Sequence, residues 1–506
     1  MTVINPNSIS GITSITLPSG GDNVLTIHTN DGTERFRIDS SGNVKVGSAA
    51  TISPDGDVFF TGVTTATTFT GAHSGSGANL TSLPAAQLTG ALPAISGANL
   101  TGIAATDNVR TGILDVAGIS TFRNTMNVGA AVTISESGIE ATGVGITVAN
   151  INGGQISGRR NLVMNGKAQI NQRGDSTGNT SSGYYGPDRF ETTIYGGTYS
   201  HSAASSGSTL PEFPKCFRID CTSAASAPSG TNETKIKYHM EGQDVQHLQY
   251  GTSSAKSTTL SFYVRSNKTE TYTVWFYRPD GSRMNAVNFS VSAANTWEKK
   301  VITIVGDTTS AIADDNTMGY KMEWILAAGP SYTSGSALNG TWGALNNANR
   351  YVGNTGTFGQ STDDYFDLTG VQYEVGSQAT EFEHRSFGDE LSLCQRYYYV
   401  HAEGDNKVVG QATVYQNNDI FLIIYPTVTM RTTPTFEQET GTNYYRLYHN
   451  GGQDSFDSWS NTWNIQPDVF SLNANASQGV SVSGGGDSVM IITSQSGAKL
   501  AFSAEL

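Results

Sequence analysis

Between residues 258 and 306 the apolar and polar positions alternate with a period of two. In "TTLSFYVRSN" (258–267), Leu260, Phe262 and Val264 fall on one side, and Ser261, Tyr263 and Arg265 on the other. In "TYTVWFYRPDG" (271–281), Tyr272, Val274 and Phe276 oppose Thr273, Trp275 and Tyr277. A strand sends successive side chains to opposite faces, so each segment predicts a strand with one buried face. A short turn around Asn267 and Lys268 would join the two. Further strands are predicted at 299–306, 319–329 and 365–376. Many short alternating strands at this spacing predict a β-sandwich or jelly roll. Beyond residue 388, "KVVGQATVYQ", "IFLIIYPTVTMRTTPTFEQ" and "DSVMIITSQSGAKLAFSAEL" predict a second, smaller β-domain. A short helix would precede it, capped by Asp389 and carrying Leu391, Cys394 and Tyr398 on one side.

The first 160 residues have a different texture. All 22 Tyr and all 6 Trp come later, beginning with Tyr184 and Trp275. Aromatic side chains bury the most area per residue, so this half is poorly equipped to build a core alone. It opens with "TERFRIDSSGNVKVGS" (33–48), where Phe36 and Ile38, then Val44 and Val46, alternate with polar residues around the turn "SSGN". A β-hairpin or short prism segment is predicted. A repeat follows: Gly77 and Gly97 are 20 residues apart, as are Leu80 and Leu100, and "LTG" occurs at 88–90 and 100–102. Repeated units need neighbours to bury an apolar stripe, either successive turns or parallel copies of the chain. The plain alternative is a disordered Gly/Ser/Thr linker. The regular recurrence of apolar residues and the absence of charged runs favour a fibre.

Composition narrows the classes. With 506 residues, two to four units are expected. The 57 glycines, with abundant Ser and Thr, disfavour long helices. The net charge is -14 and no Lys/Arg run appears, so the electrostatic footprint of a nucleic-acid binder is missing. Cys216 and Cys221 lie five apart in "CFRIDC", on opposite faces of a predicted strand. An odd total of three cysteines argues against a disulfide framework and for synthesis in a reducing compartment. The N-terminus lacks a basic stretch followed by an apolar one, and no run approaches the length of a membrane span, so a soluble chain without a visible export route is expected.

Two sets of residues invite a chemical reading. "LTGVQYEVGSQATEFEHRS" (368–386) holds Glu374, Glu381, Glu383 and His384. Paired carboxylates hydrolyse glycosides only when they flank the scissile bond from opposite sides. Glu381 and Glu383, two apart on a strand, would share one face, so a solvated closing strand is expected, with Glu374 at the sandwich edge or paired with a base such as Arg385. No second His stands at metal spacing. The second set is aromatic. Sugar rings stack on Trp and Tyr while polar groups hold their hydroxyls. Tyr263 and Arg265 beside Trp275 and Tyr277 would form such a platform if that face is outward. The Tyr- and Trp-rich stretch 442–463, with Tyr445, Trp459 and Trp463, has the composition of an exposed recognition surface.

Several motifs occur in one order: "NLVMNGKAQINQRG" (161–174), "DRF" (188–190), "LSFYVRS" (260–266), "NTWEKKVITI" (295–304), the 368–386 stretch and "DELSLCQRYYY" (389–399). Together they resemble the C-terminal receptor-binding region of bacteriophage tail fibres, whose fold is similar to jelly-roll carbohydrate-binding modules. "TERFRIDSSGNVKVGS" is similar to "ERxRIDSSGNVxIG" segments in fibres of marine bacteriophages, and "MRTTPTF" (430–436) and the terminal "FSAEL" fit such proteins too. Ala168 and Asn171 depart from the pattern, standing where relatives often carry bulky aromatic residues.

The resemblance implies an all-β chain: a slender β-rich trimeric fibre shaft, then a jelly-roll β-sandwich, then a smaller C-terminal β-domain. The segments would be 1–50 for virion attachment with a β-prism, 51–157 for the repeat-containing shaft, 158–387 for the jelly roll and 388–506 for the tip. It implies a homotrimeric, non-catalytic adhesin. Its N-terminus would meet virion tail or adaptor proteins, and its tip host-surface polysaccharide or lipopolysaccharide. The protein would be assembled in the host cytoplasm and carried as a tail appendage of the virion. No cofactor and no nucleic acid are expected, although the acidic charge would tolerate a structural Ca2+. The rival readings are a tailspike-type polysaccharide depolymerase and a purely structural virion decoration.

Overall fold

A computed structural model describes residues 24–63, scattered positions between 65 and 70, the backbone of three strands between 126 and 141, and residues 159–506 apart from the side chains of 461–463. The repeat at 77–102 lies outside the described residues. The chain divides into two compact units, Met1–Thr121 and Phe122–Leu506.

In the first unit, the strands Leu25–His28, Glu34–Ile38, Val44–Val46, Ala50–Ile52 and Val58–Phe60 form one antiparallel sheet in chain order. The hairpin expected at 33–48 is there: Phe36 pairs with Val46 and Ile38 with Val44. Its turn is held by the Asp39 carboxylate, which accepts the N–H groups of Ser41 and Asn43, both at 3.0 Å. Gly42 at φ +84° supplies the left-handed position that other residues avoid. The register then places Leu25, Ile27, Phe36, Ile38, Val44, Val46, Ala50, Ile52, Val58 and Phe60 on one face. Thr26, Arg37, Lys45 and Thr51 take the other, with Phe59. The apolar face stays open within this unit: Ile27 and Phe60 are both 54% exposed.

The second unit begins with a small meander, Met126–Val128, Val132–Ser135 and Gly138–Ala141. After residue 159, two antiparallel sheets pack face to face. The first has six strands, in the order Glu298–Ile304, Thr258–Ser266, Tyr365–Val375, Lys215–Ser223, Thr198–Ser205 and Ser176–Asn179. The second has seven: Gly183–Tyr184, Phe190–Thr193, Glu233–Glu241, Met318–Ala328, Thr271–Arg278, Arg283–Ser290 and Gly343–Ala344. Aromatic contacts fill the space between them. Phe262 meets Phe289 and Trp324 edge-on, at 5.1 and 5.9 Å between ring centroids. The buried Tyr373 hydroxyl donates to that of Tyr320 at 2.7 Å, so a polar group in the core keeps its partner. The alternation thus built the strands it predicted, and the chain is all-β.

The short connection expected around Asn267 and Lys268 is present, but it joins two sheets. Thr258–Ser266 and Thr271–Arg278 do not pair as a hairpin; the chain crosses from the six-stranded sheet to the seven-stranded one. Each strand has an apolar face, and the crossing lets both turn that face into the same core. Their polar faces therefore look out on opposite sides of the sandwich. The cysteine expectation stands: Cys221 packs in the core and Cys216 on the other face, and all three cysteines are buried and unbridged.

The remaining strands form a second sandwich. A three-stranded sheet (Tyr398–Glu403, Lys499–Ser503, Thr435–Gln438) faces a seven-stranded one (Gly452–Phe456, Tyr445–His449, Ser488–Thr493, Val408–Gln416, Asp419–Ile424, Phe470–Asn475, Ser460–Ile465). Phe470 stacks on Phe502 at 3.8 Å between them. The helix before it, Phe387–Gln395, is capped by Ser386, not by Asp389. Ser386 is extended at ψ 154°, and its Oγ accepts the Asp389 N–H at 3.2 Å. Tyr398 lies beyond the helix, in the first strand of the second sandwich.

The two sandwiches are pinned together by polar contacts. The Arg396 guanidinium makes a fork to Glu241 through two bonds of 2.8 Å, and Tyr397 donates to the same carboxylate at 2.5 Å. Gln172 donates to the Tyr398 carbonyl at 2.7 Å, and Arg431 to the Asn316 carbonyl at 2.7 Å. Glu505 lies between Arg173 and Arg189, and Tyr184 donates to the terminal Leu506 carbonyl at 2.9 Å.

Candidate functional site

Of the seven aromatic and basic residues singled out in the sequence, the six whose side chains are described separate into three places. Tyr263 and Arg265 stand on the outer face of the six-stranded sheet. Arg265 and Arg218 both bind the buried Asp367, at 2.8 and 2.7 Å, and the Arg265 guanidinium lies 4.6 Å from the Trp297 ring centroid. Trp275 and Tyr277 stand on the outer face of the seven-stranded sheet, stacked at 4.9 Å with 9° between their planes. The single platform of four residues does not exist, because these pairs look away from each other across the core.

Nor is Trp275 open to a ligand. The segment between Tyr332 and Tyr351 covers it, with the Arg350 guanidinium 4.2 Å from its ring and the Lys321 ammonium at 5.2 Å. Trp275 is 2% exposed. Beside it the buried Glu323 accepts Lys235 and Lys321, each at 2.8 Å. Burial alone would raise this carboxyl, but the two ammonium groups hold it well below the usual carboxylate range. This face is a locked packing arrangement.

Within the expected recognition surface at 442–463, the two aromatic residues singled out whose side chains are described point into the core. Tyr445 and Trp459 are buried, in one aromatic cluster with Phe456, at 5.9 Å from each other and 5.2 and 5.1 Å from Phe456. A buried Tyr and Trp supply the volume that a small sandwich needs, which outweighs the polar composition around them. The Trp463 side chain lies outside the described residues.

The carboxylates of 368–386 have structural partners. Glu374 is buried at the end of its strand and accepts the Thr380 N–H at 2.9 Å and the Thr380 hydroxyl at 2.6 Å; the cation near it is Arg160, at 3.8 Å. The strand ends at Val375, so Glu381 and Glu383 are not on it. Glu383 binds the N–H groups of Arg160 and Asn161 at 3.0 and 2.8 Å and Arg385 at 2.8 Å, which lowers its carboxyl pKa against the opposing effect of burial. His384 pairs with Glu212 at 3.1 Å in an exposed position.

What the tertiary structure assembles instead is a cleft of about 330 Å³ along the seam of the two sandwiches. One wall comes from the first sandwich: Arg173, Gly174, Ser176, Tyr184, Tyr185 and Gly186. The other comes from the outer face of the three-stranded sheet: Tyr398, Glu437, Lys499 and Ser503, with Gln438 and Glu439 beyond them. Register explains the second wall. Phe436, Tyr399 and Phe502 turn into the core, which leaves Glu437, Tyr398 and Ser503 outward. The Arg173 guanidinium lies 3.6 Å from the Tyr398 ring centroid and 5.2 Å from that of Tyr184. Burial, followed by the Glu437 carboxylate with which it shares a hydrogen bond, pushes the Tyr398 phenol well up. Asp188, behind the Arg173 wall, is pushed up to about 6 by burial, with Arg173 opposing. The cleft combines aromatic rings, hydroxyls, carboxylates and two cations within a volume typical of small-ligand sites.

None of these residues was chosen in the sequence reading. The available signals were the adjacent tyrosines of "GYYG" (183–186) and "RYYY" (396–399). Nothing in the linear order joins them to each other or to Glu437 and Lys499.

No protein-family profile matches the chain. No curated protein matches it either. Solved structures with partial likeness include the enzymatically active domain of tailspike protein 4 of bacteriophage CBA120, at 12% identity and TM-score 0.21, over 44% of this chain and 22% of that one. Another is the CBM22-1 xylan-binding domain of Paenibacillus barcinonensis Xyn10C, at 9% identity and TM-score 0.21, over 46% of this chain and 100% of that one. A third is TmCBM61 in complex with β-1,4-galactotriose, at 6% identity and TM-score 0.20, over 43% of this chain and 99% of that one. Superpositions this loose carry no functional conclusion.

Proposed function

We propose that this chain is a phage-type fibre protein that attaches a virion to polysaccharide or lipopolysaccharide on the host surface, by non-catalytic binding and as a homotrimer. The observation that carries the reading is the seam cleft. The half-buried Tyr184 and Tyr185 offer ring surface to the C–H groups of a sugar, while Tyr398 is buried beneath Arg173. The hydroxyls and carboxylates of the cleft offer partners to sugar hydroxyls. The ordered fibre motifs in the sequence support the same reading.

The open apolar face of the N-terminal sheet supports self-association. Ten apolar positions in register face outward together. An apolar face of that extent calls for a partner surface, and identical copies brought together along a fibre would provide one. Three cleft-bearing tips on one fibre would then bind a repetitive surface polymer with far more avidity than one.

The placement of the cleft's carboxylates supports the non-catalytic reading. Glu437 and Glu439 are two residues apart on one wall. Hydrolysis needs an acid and a second carboxylate on opposite sides of the scissile bond. The test is retention on immobilised host polysaccharide with a parallel assay for newly released reducing ends. Retention without release is expected. Steady release of reducing ends would sink the adhesin reading in favour of a depolymerase. Tyr185→Ala is expected to weaken retention by about fivefold, the value of one lost aromatic stack of roughly 1 kcal/mol.

A further inference from the structure

Resting on the adhesin reading above, we propose that the seam cleft takes an uncharged pyranose unit, one that carries hydroxyl groups only, and rejects uronic, sialylated or sulfated units. The selection comes from which charges in the cleft are already paired. Arg173 is 3.3 Å from Glu505, and its guanidinium is stacked over Tyr398. Lys499 donates to the Gln172 carbonyl at 3.2 Å and is 3.4 Å from Glu403. Both cations therefore serve the seam itself.

The carboxylates on the second wall differ. Glu437 and Glu439 are exposed, and among the described residues neither has a cation within ion-pair distance. A carboxylate only accepts hydrogen bonds, and sugar hydroxyls can donate to it. A hydroxyl donating to a carboxylate makes one of the stronger hydrogen bonds available to a saccharide. An anionic sugar would instead bring a further negative charge beside these two, and like charges placed together repel. The chain's net charge of -14 adds a field of the same sign. Tyr185, half-buried at the mouth with its hydroxyl 3.2 Å from that of Ser181, provides the ring against which the pyranose would lie.

The test uses the full chain on an array of neutral gluco-, galacto- and manno-configured oligosaccharides with uronic, sialylated and sulfated counterparts. The variants are Glu437→Gln, Glu439→Gln and Tyr185→Ala, with thermal melts to confirm that they fold. The wild type is expected to bind neutral glycans at least tenfold more tightly than anionic ones. Glu437→Gln is expected to weaken neutral binding by roughly fivefold and to narrow the gap to anionic glycans. A wild-type preference for anionic glycans overturns the selection rule. Neutral binding left unchanged by all three variants overturns the cleft but leaves the adhesin reading standing. Absence of binding to every glycan on the array, and to whole host polysaccharide, overturns both.

Discussion

At the residue scale, burial decides what the aromatic side chains do. Trp275 looks in the sequence like one end of an exposed sugar platform, yet Arg350 and Lys321 close over it. Trp275→Ala is therefore expected to cost stability, about 3–5 kcal/mol by denaturant titration, and to leave glycan retention unchanged. His201 supplies a pH signature. Its Nδ1 lies 2.9 Å from the Asn179 amide, which donates to it, so the proton is on Nε2, 3.2 Å from the Thr192 hydroxyl. Burial lowers its pKa from 6.5 to about 4. Between those values only the unfolded chain takes up the proton. The contribution to stability is full above about 6.5 and falls as the pH drops toward 4, by on the order of 3 kcal/mol. His201→Gln is expected to flatten this part of the stability–pH curve, measured by urea unfolding at pH 7 and pH 4.5.

At the element scale, the strands were legible because alternation is a local property. The strands predicted at 258–267, 271–281 and 365–376 correspond to Thr258–Ser266, Thr271–Arg278 and Tyr365–Val375. Which strand pairs with which was not legible, since a short connection fits both a hairpin and a crossing between sheets. The helix cap was misplaced by three residues for a related reason: Ser386 and Asp389 are both good caps, and the choice depends on where the chain leaves the preceding segment. Ser386→Ala should lower stability by about 1 kcal/mol, readable as a shift in thermal midpoint, while Asp389→Ala should cost less.

At the scale of the whole molecule, the seam makes the two sandwiches mechanically one. Their shared contacts run through Glu241, Arg396, Gln172, Glu505 and Arg431. Scanning calorimetry is expected to show a single transition for residues 159–506. Two resolved transitions, with Arg396→Ala affecting neither, would contradict that coupling. The open face of the N-terminal sheet makes its own prediction. Light scattering should give the mass of three chains, and Phe60→Asp should shift that mass downward, because a buried unpaired charge at a chain–chain contact is costly.

The sequence by itself determined the all-β class, the position of strands such as Thr258–Ser266, Thr271–Arg278, Met318–Ala328 and Tyr365–Val375, the acidic charge and the change of texture near residue 160. Each of these depends on local alternation or on composition, which the linear order carries directly. Only the tertiary structure decided that Trp275 is roofed, that Tyr445 and Trp459 are core, and that Tyr184 and Tyr185 meet Tyr398, Glu437 and Lys499 across a cleft. Those groups lie more than 200 residues apart. Their meeting follows from the order of strands in four sheets and from where the last residues of the chain are tied down, and that order is set by long-range packing rather than by any local pattern.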